Sequence, residues 1–308
     1  MILITGGNGF LGKHVIDEFK KNNIDYLAPR SSELDILDFN ALKNYLEYHK
    51  PNSILHLAAL CGGLPKNKHL PADFLRINTQ MALNIYEGAR VNNITNIYSL
   101  GSVCMYPCYC PTPFKEDDIW NGAAESTNFG YGQAKRTLLM LSQTYRQQYG
   151  FTGVHLIPVN MFGIYDSFDD GKSHVIPALI KKFVNAVKND LPQVELLGTG
   201  NATREFLAVQ DCAEVIAQVV STNFDCDLPI NLGTGQDISI KDLAELIKKL
   251  TNYTGKIVFK NDDMDGQPKR LLDVSRAKQL LNWTAKTNLK DGLIKTIDWY
   301  QKTNENIL

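Results

Sequence analysis

What the 308-residue chain lacks narrows the field first. No apolar run reaches the roughly 18 residues that a membrane-spanning helix needs. Lys plus Arg (32) and Asp plus Glu (33) nearly cancel, so a net charge of −1 gives no electrostatic case for a nucleic-acid or anionic-membrane partner. The six cysteines (Cys61, Cys104, Cys108, Cys110, Cys212, Cys226) contain no Cys-x-x-Cys pair, and Cys108-x-Cys110 has no second half, so no structural zinc or other metal site is expected. Internal repeats and low-complexity segments are also missing. The opening Met1-Ile2-Leu3-Ile4-Thr5-Gly6 reads as a buried strand entering a glycine turn, not as a charged leader with a cleavage site. A cytoplasmic protein with reduced thiols is the expectation.

What is present suits a globular α/β chain, with 44% hydrophobic and 21% charged residues in a length that fits one large domain or two unequal ones. Over the first 160 residues, short apolar runs (2–4, 26–28, 54–58, 97–100, 154–159) alternate with amphipathic stretches (11–22, 39–49, 72–92, 131–149). Such alternation predicts right-handed crossovers and a parallel sheet covered on both faces. Past Asn160 the pattern loosens, with helices predicted over 174–189 and after a Ser239 cap. The division expected is a nucleotide-binding domain over 1–165, rejoined by a segment near 205–235, and a smaller lobe from 166–204 and 236–308.

The loop Thr5-Gly6-Gly7-Asn8-Gly9-Phe10-Leu11-Gly12 follows the first strand and opens the first helix. Gly6, Gly9 and Gly12 allow a tight turn, approach of backbone to a pyrophosphate, and close helix–strand packing, with phosphates meeting free N–H groups at a positive helix end. A dinucleotide cofactor follows. The acid that usually meets the adenosine ribose about 20 residues on is replaced by Ala28-Pro29-Arg30-Ser31-Ser32. A guanidinium and two hydroxyls suit a 2′-phosphate, so NADPH is expected over NADH, although Arg30 also reads as plain surface. Asp38 facing the adenine, and Leu57-Ala58-Ala59 lining the cofactor path, each have an equally good structural reading.

Tyr131 and Lys135 stand four apart in a helical pattern and so share one face. A phenol with a pKa of about 10 is a poor acid–base group near neutrality, and a close ammonium is expected to lower it.

Taken together, the glycine loop, Leu57-Ala58-Ala59, Asn78, Gly101-Ser102, Tyr131-x-x-x-Lys135 and Asn160-x-x-Gly163 resemble the extended short-chain dehydrogenases/reductases that act on nucleotide sugars. Pro71-Ala72-Asp73-Phe74, Gly101 to Pro107, Ser173 to Leu179, Arg204-Glu205-Phe206-Leu207 and Leu271-Leu272-Asp273-Val274 are similar to the GDP-L-fucose synthase family in particular. The resemblance implies a Rossmann-type doubly wound sheet with a C-terminal substrate lobe, NADPH as cofactor, and a GDP-linked 4-keto-6-deoxy sugar reduced at C4 and epimerised at C3 and C5. It implies Tyr131 as proton donor, Lys135 also on the nicotinamide ribose, Ser102 on the substrate carbonyl, and Cys104 with His174 as the epimerising pair, His174 also touching cofactor. Without that context, Cys104 reads as a small buried hydrophobe and His174 as a helix cap. Lys182, Arg204, Lys269 and Arg270 are the cations expected on the diphosphate and guanine, Arg204 the best placed of them, while Lys269 and Arg270 read equally well as a solvated charge pair. A homodimer through the helices near 72–92 and 131–149 is implied as well.

Some positions depart from the family pattern. Ser102-Val103-Cys104 replaces Ser-Ser-Cys, Leu197-Gly198-Thr199-Gly200 replaces Trp-Gly-Ser-Gly, Ala208-Val209-Gln210-Asp211 replaces His-Val-Asp-Asp, and Lys182 replaces an arginine. Because these positions surround the sugar and diphosphate, a heptose or other unusual sugar, reduced without epimerisation, stays open. A 4-epimerase recycling bound NAD⁺ and a non-catalytic redox-sensing protein are the competing classes. The residues around Arg30 and the Cys104–His174 pair argue against the first, and Ser102, Tyr131 and Lys135 together against the second.

Overall fold

The computed structural model describes residues 1–169, 173–260 and 266–305. Its first half runs β1 (Ile2–Thr5), α1 (Phe10–Lys21), β2 (Tyr26–Leu27), α2 (Phe39–His49), β3 (Ser53–His56), α3 (Leu64–His69), α4 (Pro71–Val91), β4 (Asn96–Leu100), α5 (Phe129–Tyr149) and β5 (His155–Pro158). Then follow β6 (Asn160–Phe162), α6 (Val175–Lys188), β7 (Gln193–Leu197), β8 (Thr203–Ala208), α7 (Val209–Ser221), β9 (Ile230–Leu232), β10 (Asp237–Ser239), α8 (Ile240–Leu250), β11 (Lys256–Lys260), β12 (Lys269–Arg270), α9 (Ser275–Leu281) and α10 (Leu289–Glu305).

The principal sheet has the order β2-β1-β3-β4-β5-β9, and every pairing in it is parallel. Its strands are apolar on both sides because both faces are covered. Ile2 and Ile4 enter the core under α1 and α7, whereas Leu3 between them enters the core under α2 and α4. Leu55 and Tyr98 likewise face the first core, and Ile54 and Ile97 the second. This period-2 division of one apolar run between two cores marks a doubly wound sheet of the Rossmann type. The 209–232 segment belongs here, with α7 lying beside α1 and β9 extending the sheet beyond β5.

The chain leaves this sheet at β6, which pairs with β8. Strands β10 and β12 flank β8, and β7 pairs with β11. A third core, built from Phe162, Ile176, Ile180, Phe183, Leu243, Ile247, Leu293 and Ile297, binds these strands to α6, α8 and α10. The expected Ser239 cap forms, its hydroxyl accepting from Asp242 N at 3.0 Å. These strands are absent from the sequence reading, and three of the six (β6, β10 and β12) span three residues or fewer, too short for an alternation to register. Among the described residues, no helix is long and apolar enough to cross a membrane.

Candidate active site

The carboxyl ends of β1, β3 and β4 converge on one crevice, the place where open α/β sheets bind ligands. At the end of β1, Gly6 has φ +75°, and a Cβ there would lie 2.6 Å from Ala58 N. Only glycine lets the two strand ends meet this closely. A Cβ on Gly12 would lie 2.3 Å from Gly6 O, so the third glycine seats α1 directly on the turn. Gly9 caps α1 without a side-chain acceptor, leaving the first N–H groups, at Phe10 and Leu11, aimed out of the helix end. An uncapped, positive helix end under a glycine turn fits a pyrophosphate. Arg30 is exposed in a turn whose Arg30 N donates to Glu33 Oε2 at 2.7 Å, with Ser31 and Ser32 exposed beside it. Asp38, read as adenine-facing, has a structural task. Its carboxylate caps α2, accepting from Asn40 N (2.9 Å) and Ala41 N (3.1 Å).

Across the crevice, Tyr131 and Lys135 rise from the first turns of α5. Two glycines bring this helix close, at a cost of about 1 kcal/mol each in helix propensity. A Cβ on Gly130 would meet Pro71 O at 2.1 Å, and one on Gly132 would meet Cys104 O at 2.3 Å. Gly132 therefore lets the Ser102–Met105 turn lie against α5. That turn is self-organised, since Ser102 Oγ accepts from Cys104 N at 3.2 Å, and Ser102 acts on the Tyr131 phenol across the gap. Lys135, buried, donates from Nζ to Leu100 O at 2.8 Å, and its ammonium lies 5.8 Å from the Tyr131 ring centroid. Ser102, Cys104, Tyr131 and Lys135 thus meet at one point.

Electrostatics here run opposite to the expectation. Part of Tyr131 is open to the crevice, yet protein surrounds it so closely that desolvation holds its pKa well above the usual phenol value, with Cys61 and Cys104 adding to the rise and Ser102 opposing it. Lys135 is itself pushed below the usual ammonium range by burial. The pair favours a neutral phenol rather than a phenolate. For a group that must give up a proton to a nascent alkoxide, that is the useful state.

Beneath this cluster lie two buried imidazoles, His56 (Nδ1 to Thr5 Oγ1, 2.8 Å) and His155 (Nδ1 to Ser99 Oγ, 2.8 Å). Burial, then the nearby Lys135 charge, depresses each to about 3.

His174 precedes α6 in the second lobe and makes no side-chain cap there. Its ring is solvent-accessible, but the protein crowding around it still lowers its pKa by desolvation, which keeps it neutral. The four expected cations divide. Arg204, half-buried on β8, donates from Nη1 to Thr203 O at 2.7 Å. Lys182 is exposed and donates to Glu195 O at 2.7 Å. Lys269 pairs with Asp237 at 3.3 Å. Arg270 corrects the sequence reading, for it is buried, donating to Gln267 Oε1 (3.0 Å) and Glu125 Oε2 (3.3 Å). Its fork is committed inside the protein, tying the second lobe to the loop ahead of α5.

Three site residues escaped the sequence reading as such. Asn78 grips Leu60 from both sides, accepting from its N–H at 2.8 Å and donating to its carbonyl at 3.1 Å. That clamp holds Cys61, whose Sγ lies 3.6 Å from the Tyr131 hydroxyl. Glu205, fully buried, accepts from the backbone N–H of Thr234 (2.5 Å), Gly235 (2.7 Å) and Leu272 (2.8 Å), fixing two loops of the second lobe beside Arg204. Asn78 and Glu205 stand within the motifs that carried the resemblance, whereas a lone cysteine carries no such signal.

Comparison with known proteins agrees with this geometry. Residues 2–233 match the model of the NAD dependent epimerase/dehydratase family. The GDP-L-colitose synthase of Yersinia pseudotuberculosis is 37% identical over 306 residues, covering 99% of each chain. The GDP-L-fucose synthase of Escherichia coli (strain K12) is 32% identical over 313 residues, covering 99% of this chain and 97% of its own. Among solved structures, a GDP-mannoheptose C4 reductase from Campylobacter jejuni with NADP bound superposes with a TM-score of 0.88 at 28% identity, over 97% of this chain and 98% of the other. The chain belongs to the NAD dependent epimerase/dehydratase family, in the group that contains the GDP-L-fucose synthases.

Proposed function

We propose that this protein is an NADPH-dependent oxidoreductase that reduces C4 of a GDP-linked 4-keto sugar. The observation that carries the reading is the meeting of Ser102, Tyr131 and Lys135 at the crevice that also holds the glycine cradle. The relatives' own substrates supply the GDP-sugar class, and the NADP in the Campylobacter reductase supports the cofactor. Gly6, Gly9, Gly12 and the α1 N-terminus would hold the pyrophosphate, with Arg30, Ser31 and Ser32 at the 2′-phosphate. When bound there, NADPH supplies hydride to C4.

The chain's own residues do the rest. Ser102 donates a hydrogen bond to the C4 carbonyl oxygen and fixes its orientation. Tyr131, held protonated by its surroundings, delivers its proton as charge builds on that oxygen. Lys135, beside the phenol, offsets the phenolate left behind. Arg204 binds the diphosphate, with Lys182 and Lys269 joining it, each of the three starting from a partner of its own.

A second activity, C3/C5 epimerisation, rests on Cys104, in the turn against the Tyr131 helix, and on His174, kept neutral by the protein around it. The assembly is a homodimer through α4 and α5, which expose Leu75, Leu83, Phe129 and Met140.

The test supplies GDP-4-keto-6-deoxymannose and a heptose analogue with NADPH or NADH in D₂O. Loss of NADPH absorbance with C4 reduction is expected, with deuterium at C3 or C5 if Cys104 and His174 act. Tightly bound NAD⁺ with no NADPH consumed would overturn the reductase. Reduction without deuterium would remove only the epimerase activity.

A further inference from the structure

One thiol at the site has no part in the chemistry above. Cys61 Sγ lies 3.6 Å from the Tyr131 hydroxyl while its own side chain is exposed. Its position is set from behind, since Asn78 holds Leu60 by two hydrogen bonds and is itself buried on α4, donating also to Phe74 O at 2.8 Å. Phe74 in turn meets the Tyr131 ring edge-on, with centroids 6.2 Å apart. Thiol and phenol are therefore held against each other by the same small group of α4 side chains. The other side chains with a marked effect on the phenol are Ser102 and Cys104. Of the three, Cys61 alone is exposed, Ser102 and Cys104 being half-buried.

Turnover poses a problem that this contact solves. After Tyr131 gives its proton to the C4 alkoxide it is a phenolate in a crowded, desolvated place, and the next cycle requires that proton back. Lys135 is buried and donates to Leu100 O, so it is not itself open to solvent. Thiols are in general stronger acids than phenols, about 8.5 against about 10, so a proton passes from sulfur to a phenolate downhill.

We propose that Cys61 is the proton relay of this site, passing a proton from solvent through Sγ to the Tyr131 oxygen after each reduction. The step balances. The S–H bond breaks as the Tyr131 O–H bond forms, and the thiolate then takes a proton from water or buffer acid, with no oxidation of either group. This inference rests on the reductase reading, and the experiment separates the two.

Wild-type enzyme, Cys61→Ala and Cys61→Ser are mixed rapidly with excess GDP-4-keto sugar and NADPH, and absorbance is followed through the first and later turnovers. In the variants the first turnover stays within about twofold of wild type, because Tyr131 starts protonated. Later turnovers slow by about tenfold or more, and added imidazolium at constant pH and ionic strength restores them, as expected of a missing acid. A first turnover slowed as much as the later ones would overturn the relay, as would unchanged later turnovers or the absence of imidazolium rescue. If wild type oxidises no NADPH, the reductase reading fails instead.

A second measurement needs no substrate. Alkylation of Cys61 by iodoacetamide, followed by peptide mass spectrometry against pH, is compared in wild type and Tyr131→Phe. Loss of the phenol that lies against the thiol displaces the alkylation curve from that of wild type. Superimposed curves would show that thiol and phenol are not in contact, and would overturn the proposal.

Discussion

The two imidazoles under the site should make this protein sensitive to mild acid. Both rings are 2% exposed, and burial, reinforced by Lys135, holds each near 3 instead of 6.5. His155 cannot readily accept a second proton. Its Nε2 has no partner among the described residues and sits only 2.6 Å from where a Cβ on Gly101 would be. The folded-state value is depressed below the unfolded one, so the stabilising contribution is fully present above about pH 6.5 and is lost as pH falls towards 3. Between about pH 7 and pH 5 the unfolded chain protonates both rings and the folded chain neither. Each then withdraws about 2 kcal/mol, or about 4 kcal/mol for the pair. That is a large part of a typical net stability of about 5–15 kcal/mol. Urea unfolding at pH 7, 6 and 5 measures it directly through the midpoint and slope. Replacing both with Asn (His56→Asn, His155→Asn) keeps a polar group near each Nδ1 and removes the titration, so the pH-dependent loss should shrink by about 4 kcal/mol. A double variant that loses stability with pH as steeply as wild type would refute the reasoning.

Three further outcomes follow from the site. Tyr131→Phe should lower kcat by about 10²–10⁴-fold while leaving the dissociation constant for NADPH within about threefold, measured by fluorescence titration, because only the proton donor is lost. Gly132→Ala would drive a methyl to 2.3 Å from Cys104 O, so the Ser102 turn must back away from α5; a stability loss of about 1–3 kcal/mol by thermal melting, together with reduced kcat, is expected. Glu205→Gln replaces an acceptor of three backbone N–H groups with an amide that turns a donor towards at least one of them. It should cost about 1–3 kcal/mol and raise KM for the GDP-sugar more than it lowers kcat, since the loops it holds flank Arg204 and not the Tyr131 hydroxyl.

What could be read from the chain beforehand divides by the range of the interaction. The glycine turn and the four-residue offset of Tyr131 and Lys135 are local, and backbone sterics or helix geometry determine them within a few positions. The doubly wound sheet is legible for a related reason, as apolar runs such as Ile2-Leu3-Ile4 make sense only when both faces are covered. Arg270 shows where this stops. Nothing near it distinguishes a cation free to bind phosphate from one already paired, because its partner Glu125 lies 145 residues away. Asp38 has two readings that are equally available locally, and the structure shows the cap to the following helix, made with the backbone N–H groups of Asn40 and Ala41.

The direction of the Tyr131 shift follows the same division. An ammonium four residues away is a local feature and argues for a lowered pKa, whereas desolvation is a sum over everything the fold brings near, including Cys61, 70 residues back in the chain. Here the sum prevails. The consequence concerns which form is populated, because a neutral phenol carries the proton that ketone reduction needs, whereas alcohol oxidation would need the phenolate that this packing disfavours. The packing thus keeps the proton on the Tyr131 oxygen before any ligand arrives.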